Sequence, residues 1–302
     1  MTNRYLVYLV CTAALACTSL NASAQEVSLR HKGQTLNANL ELAAEKKMAD
    51  GVILITHAGL AHGRTETVAY LQQLLKDKGY SSLALTLSLG VDNRQGMLDC
   101  KTTHRHHFAD AAGEIGLWVD WLKGQGAKQL VLLGHSRGGS QTALYMTQQE
   151  SAVVKAAVLL APDTRATNDA AAYQQRHNKA LAPLLQKAQA LVQAGKGDTI
   201  LPHTGILFCA DTNVTAGTIV SYYGPDPRLD TPYLIAKIKK PTLIVIAGND
   251  EVVIGFKDKF APLVGGKHVQ LKVVEGADHF FRDLYSDDAV DAIQVFLKGA
   301  GY

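Results

Sequence analysis

Beyond residue 50 the chain alternates short aliphatic runs with segments whose apolar residues recur every three or four positions. The runs 51–56, 81–87, 129–133, 156–160, 242–247 and 269–274 are aliphatic-rich and bounded by Gly, Pro or Lys, as expected of strands covered on both faces. Between them, the amphipathic segments 66–78, 107–123, 139–149, 257–263 and 288–298 predict crossover helices. Ahead of all these, 27–32 and 35–42 flank Gly33 and predict an antiparallel hairpin on the sheet edge. The pattern specifies an α/β protein with a mostly parallel, doubly wound sheet of about eight strands.

One segment breaks the rhythm. From 163 to about 233 the chain runs between two strands, first through Ala/Gln-rich sequence expected to be helical over 170–193, then through Gly/Pro/Thr/Tyr-rich sequence expected to be irregular. An insertion of that length above the carboxyl ends of the strands predicts a cap or lid over a pocket. Residues 25–302 therefore read as one domain carrying a cap.

Residues 1–24 open with Arg4, continue through a weakly apolar stretch and close on Ala22-Ser23-Ala24, the pattern of a cleavable secretory signal. The stretch is short for a membrane anchor, and Leu15-Ala16-Cys17 is only a partial lipidation motif. Its removal also takes Cys11 and Cys17, leaving Cys100 and Cys209 in a secreted or periplasmic compartment where disulfides persist. The two are expected to pair, the alternative being two buried thiols. No later stretch is apolar enough for stable membrane insertion. The formal charge of +3, carried by scattered basic residues, gives no sign of a nucleic-acid partner. The 47% hydrophobic content suffices for a large core.

The candidate chemistry begins where the strand 129–133 runs into Gly134-His135-Ser136-Arg137-Gly138-Gly139. A strand ending in Gly-x-Ser-x-Gly before a helix turns sharply, and the small residues let the backbone approach itself while the serine hydroxyl is pushed outward. Such a serine needs a base. His279, in the loop after the strand ending near Glu275, can reach back over the sheet edge. A carboxylate should fix the imidazole, and Asp250 or Glu251, after the strand 242–247, stands in the right place; the Glu-Val-Val that follows favours Asp250. Asp278 is adjacent to His279 but points away from it, and reads as a loop residue. Two backbone amides should face the developing oxyanion, those of Arg137 and, from the turn His57-Ala58-Gly59-Leu60, Gly59. Ala58 and Leu60 are the neighbouring alternatives, and His57 is read as a brace for the turn.

This ordered set, Ser136, Asp250 and His279 with the elbow and the His57 turn, resembles the α/β-hydrolase superfamily over essentially the whole chain after residue 24, with a core like that of dienelactone hydrolases. The resemblance implies an α/β-hydrolase fold and a serine hydrolase that cleaves a carboxylic ester or related acyl bond of a small-molecule substrate without a cofactor, and the amino-terminal signal predicts that it is exported. An amidase or peptidase, an acyltransferase, or a non-catalytic binder on the same scaffold are the alternatives. Two positions depart from the usual pattern: Ala58 stands where Gly is common after the histidine, and Arg137 where an apolar residue is common. Neither removes an amide donor, and Arg137 either charges the pocket rim or pairs with a nearby carboxylate. Leu60, His104, His106 and Tyr222 are candidate substrate-lining residues. The cluster Cys100-Lys101-Thr102-Thr103-His104-Arg105-His106-His107 lacks acidic or cysteine companions at ligand spacing, so no metal site is expected there.

Overall fold

The computed structural model describes residues 24–253, 255–264 and 268–302. The predicted signal, but for Ala24, lies outside the described residues, as do Cys11 and Cys17.

Two strands, β1 (Gln25–His31) and β2 (Gln34–Glu41), form the predicted edge hairpin through Lys32 and Gly33, whose φ values of 47° and 83° suit a two-residue connection between twisted strands. The remaining strands of the sheet are β3 (Val52–Thr56), β4 (Ser82–Thr86), β5 (Leu130–His135), β6 (Val154–Leu160), β9 (Thr242–Ala247) and β10 (Val269–Val274). They stand in the order β1-β2-β4-β3-β5-β6-β9-β10, parallel throughout from β4 to β10. Every residue of β3, β4, β5 and β9 is buried, whereas β10 exposes Gln270 and Lys272 at the sheet edge. Continuous aliphatic sequence is thus the imprint of helices on both faces. Helix α1 (Glu66–Asp77) packs with α9 (Tyr285–Gly299), and α2 (Asp110–Gly124) with α3 (Arg137–Gln148). Among the described residues no helix is long and apolar enough to cross a membrane.

Between β6 and β9 lie α4 (Ala170–His177), α5 (Leu181–Gln193), a separate hairpin of β7 (Ile200–Ile206) and β8 (Cys209–Thr215), then α6 (Ala216–Tyr223) and the short α7 (Thr231–Ile235). The sequence expectation fails here in two places. The single helical stretch is two helices, because Asn178 adopts a left-handed φ of 52° and its N–H caps α4 on Gln174 O. The stretch expected to be irregular holds the hairpin and α6. Pro202 and Gly205, which argue against a strand, sit where the β7–β8 register shifts, with His203 at φ 54°. The hairpin survives because Leu201, Ile206, Cys209, Thr212 and Val214 bury one face.

The loop ahead of α2 fastens this insertion to the sheet. His104 N–H bonds Asn213 O at 2.8 Å, Thr215 N–H bonds His104 O at 3.0 Å, and Cys100 is disulfide-bonded to Cys209. The bridge closes a sequence separation of 109 residues. Loop-closure entropy for a loop of that length corresponds to about 5 kcal/mol, of which a bridge typically delivers about 2–4 kcal/mol. The Cys100→Ser/Cys209→Ser protein is expected to unfold at correspondingly lower urea concentration; an unchanged midpoint would show that the backbone bonds alone hold the hairpin.

Candidate active site

The strand β5 ends in His135 and α3 begins at Arg137, so Ser136 makes the whole turn, with φ 56° and ψ −124°. Crowding holds it there. A Cβ on Gly138 would collide with the carbonyl oxygens of Thr56 and His57, and one on Gly134 would lie 2.6 Å from Thr142 Oγ1 and also strike Gly138 O. These two glycines therefore let the first turn of α3 press against the end of β3. The left-handed φ of Ser136 is the strain that such packing supports.

The structure brings Ser136, His279 and Asp250 together in one hydrogen-bonded line. Ser136 Oγ lies 2.8 Å from His279 Nε2, and His279 Nδ1 lies 2.8 Å from Asp250 Oδ2. Asp250 Oδ1 accepts the N–H groups of Val252 and Val253, both at 2.8 Å, so the carboxylate is acceptor-only and fixes Nδ1 as the protonated nitrogen. Nε2 is then free to accept the serine proton. All three side chains are buried. Glu251, the alternative carboxylate, is exposed and faces a surface depression. Asp278 accepts the N–H groups of Phe280 and Arg282 and pairs with the Arg282 guanidinium, as a loop residue should.

Behind His279 stands a residue whose role the sequence did not suggest. His135 donates from Nε2 to His279 O at 2.9 Å, and its ring lies 5.1 Å from that of His279. Burial holds it neutral, its pKa lowered to about 4. Phe280 meets the His279 ring edge-on at 5.2 Å and also lies 6.1 Å from the His135 ring. The only sequence signal for His135 was its place inside the Gly-x-Ser-x-Gly motif.

The turn after β3 is braced as expected. Leu87 N–H donates to His57 Nε2 at 3.0 Å, which leaves His57 Nδ1–H to donate to Ala58 O at 3.0 Å. Arg94, buried under the turn, adds a contact to His57 Nε2 at 3.2 Å and bonds Leu87 O at 2.6 Å. Burial first, then the Arg94 charge, lowers the His57 pKa to about 3. The brace shapes the turn that carries Gly59, at φ 37°, and the Arg137 amide, in the first turn of α3, has no intrahelical acceptor.

The Arg137 side chain turns into the protein. Its Nη2 lies 2.8 Å from Asp163 Oδ2 and 2.9 Å from Asn168 Oδ1, and its guanidinium lies 5.6 Å from the Tyr222 ring centroid. Of the two readings of Arg137, the carboxylate pair is the one observed. Leu60, His104, His106 and Tyr222 are all buried rather than set in an open wall. His104 Nδ1 meets His106 Nε2 at 3.2 Å, and His106 Nδ1 meets Tyr222 Oη at 2.9 Å. Burial lowers the His106 pKa to about 3 and lowers that of His104.

Residues 53–293 match the sequence model of the Alpha/beta hydrolase family, and the chain belongs to that family. Among solved structures it is similar to the ferulic acid complex of Est1E from Butyrivibrio proteoclasticus, with 18% identity, 91% of this chain and 98% of that chain covered, and a TM-score of 0.67. It is also similar to the monoacylglycerol lipase of Paleococcus ferrophilus (15% identity, 87% and 98% covered, TM-score 0.60). The dienelactone hydrolase of Anabaena variabilis aligns at 15% identity, 92% and 97% coverage and a TM-score of 0.54. At these identities the likeness is one of fold. No curated protein sequence matches the chain.

Burial holds the rings of His57, His106 and His135 well below the ordinary histidine value of 6.5, at about 3, 3 and 4. Lowered values mean that the unfolded chain binds protons first as the pH falls. Their contribution is complete above about pH 6.5 and is lost progressively below it, by about 2 kcal/mol per ring at pH 5. Urea unfolding is expected to show a much lower midpoint at pH 5 than at pH 7.5; equal midpoints would mean that these rings become solvated without unfolding.

Proposed function

We propose that this protein is an exported serine hydrolase that cleaves a carboxylic ester through an acyl-enzyme. The observation that carries the reading is the line from Ser136 Oγ through His279 to Asp250, with both contacts at 2.8 Å, on a serine held at a strained turn. His279 Nε2 takes the proton as Ser136 Oγ attacks the acyl carbon, and Asp250 stabilises the imidazolium that forms. The amides of Gly59 and Arg137 hold the oxyanion. His279 then protonates the departing alkoxide, and water, activated by the same ring, releases the acid and restores Ser136. The fold shared with Est1E and with a monoacylglycerol lipase agrees with an ester substrate.

The protein is expected to be labelled by an active-site fluorophosphonate. Ser136→Ala should abolish labelling, and Ser136→Ala and His279→Ala should each lower kcat for a simple ester by roughly 10⁴-fold or more. Labelling of wild type no stronger than that of Ser136→Ala would remove the serine-hydrolase reading. For export, the cellular protein is expected to begin at Gln25, with Cys100 and Cys209 resistant to thiol alkylation until reduced. An intact amino terminus with freely alkylated thiols would place it in a reducing compartment.

A further inference from the structure

Arg94 is only 6% exposed, and among the described residues no carboxylate forms an ion pair with it. Its donors go to Leu87 O at 2.6 Å, Gly96 O at 2.5 Å, Leu60 O at 3.5 Å and His57 Nε2 at 3.2 Å. Burial lowers its pKa only to about 10, so the guanidinium is charged at neutral pH. Glu114 acts on it through space, but the oxygens of that carboxylate are taken up by Ser88 N–H and Oγ. The carbonyl bonds offset its burial, yet a neutral donor would bridge the same carbonyls without the cost of a buried charge. Charge at this place needs a reason beyond cross-linking.

The path from that charge leads to one peptide. Leu87 N–H and the Arg94 guanidinium both face His57 Nε2, so the ring proton stands on Nδ1, which donates to Ala58 O at 3.0 Å. Ala58 O also accepts Ala61 N–H at 2.9 Å, closing the turn in which Gly59 takes its φ of 37°. Ala58 C=O and Gly59 N–H are the two ends of the same peptide group. Gly59 is buried, and among the described residues its N–H has no acceptor, a rare state for a buried amide. The next carbonyl, Leu60 O, is held by Arg94 Nη1 and by Leu98 N–H at 3.0 Å, so the turn is fixed on both sides of Gly59.

We propose that Arg94 is a positioning residue for the oxyanion: through His57 it polarises the Ala58–Gly59 peptide and makes Gly59 N–H a stronger donor to charge developing on the substrate oxygen. The proposal rests on the serine-hydrolase reading given above and on its assignment of Gly59. Each donor in the line draws electron density from the next. The guanidinium draws on the imidazole and Nδ1–H draws on the Ala58 carbonyl, which leaves the peptide N–H more positive. Chains of this kind strengthen one another where water is excluded, and a charged end makes the stronger bond. The acyl oxygen gains its charge in the transition state and not in the bound ester, so the effect falls on kcat rather than on KM.

The test reads wild type first. Protein carrying ¹³C at alanine carbonyls and ¹⁵N at glycine gives an Ala58–Gly59 cross-peak by NMR, assigned as the one lost in Ala58→Ser. Diisopropyl fluorophosphate then reacts: Ser136 Oγ bonds to phosphorus, fluoride leaves, His279 takes the proton, and the phosphoryl oxygen stands in for the oxyanion. The Gly59 amide proton is expected to move downfield, and the Ala58 carbonyl carbon and the His57 Nδ1 proton to move downfield with it. A Gly59 proton that moves while Ala58 and His57 stay put would overturn the proposal. Failure to react would instead remove the serine-hydrolase reading, and reaction that leaves Gly59 unmoved would remove its place in the oxyanion site; the proposal falls with either. Arg94→Gln and Arg94→Lys both lose the guanidinium fork but differ in charge. Arg94→Gln is expected to lower kcat for a simple ester by about tenfold, with KM within about twofold and the Ala58 carbon moved upfield, whereas Arg94→Lys keeps kcat within about threefold of wild type. Equal losses in the two variants, or a change in KM in place of kcat, would reduce Arg94 to a cross-link. Circular dichroism checks that both variants fold, and the wild-type spectra decide the matter if either does not.

Discussion

The close approach of β3 and the first turn of α3 is the constraint on which the rest of the site depends. Gly138 has no side chain because the carbonyl oxygens of Thr56 and His57 occupy the space a Cβ would need, and Gly134 is bare because Gly138 and Thr142 crowd it. Pressed together in this way, the end of one strand supplies the Gly59 turn and the end of the next supplies Ser136. The contact fixes where each of these two strand ends lies relative to the other without any side chain having to bring them together. The left-handed φ of Ser136 follows from that contact. Strain of this kind costs on the order of 1–3 kcal/mol and persists only where surrounding packing over-determines it. Fully buried β3 and β5 provide such packing.

Neutral histidines extend the same logic outward. His57 and His135 each use a ring nitrogen to hold a backbone group of the site: His57 accepts Leu87 N–H and donates to Ala58 O, and His135 donates to His279 O. A lysine or arginine in either place would carry an uncompensated buried charge, and a leucine would leave those backbone groups unpaired. A neutral imidazole can be buried uncharged and still donate from one ring nitrogen while accepting at the other, as His57 does. His279 differs because its Nδ1 meets a carboxylate, so a proton arriving at Nε2 produces a cation that is already paired.

The sheet was legible because burial on both faces writes itself as continuous aliphatic sequence, and β9 and β10 fall on the predicted boundaries. Ser136, Asp250 and His279 were legible because strand ends place them, and strand ends are what short apolar runs mark. The cap was not. Its hairpin contains Pro202 and Gly205, residues that weaken any local strand signal, and it is held by partners far away in sequence, His104 and Cys100. Nothing in the sequence marks Arg94 as buried, yet three bonds to backbone carbonyls and its contact with His57 offset its burial. Side chains of this type reveal their role only when the topology closes around them.

The attachments of the cap also limit how the site can open. Ser136 is only 6% exposed, so a substrate must displace something. At the base of the cap, Arg137 pairs with Asp163 and Asn168 inside the protein, and Thr231 Oγ1 bonds both Ser140 and the Asp163 carbonyl. At its far end the disulfide and the His104 backbone bonds hold the hairpin to the loop before α2. Uncovering a buried charge pair costs about 3–5 kcal/mol, and the bridge cannot stretch at all. A rigid swing of the cap would break both attachments at once.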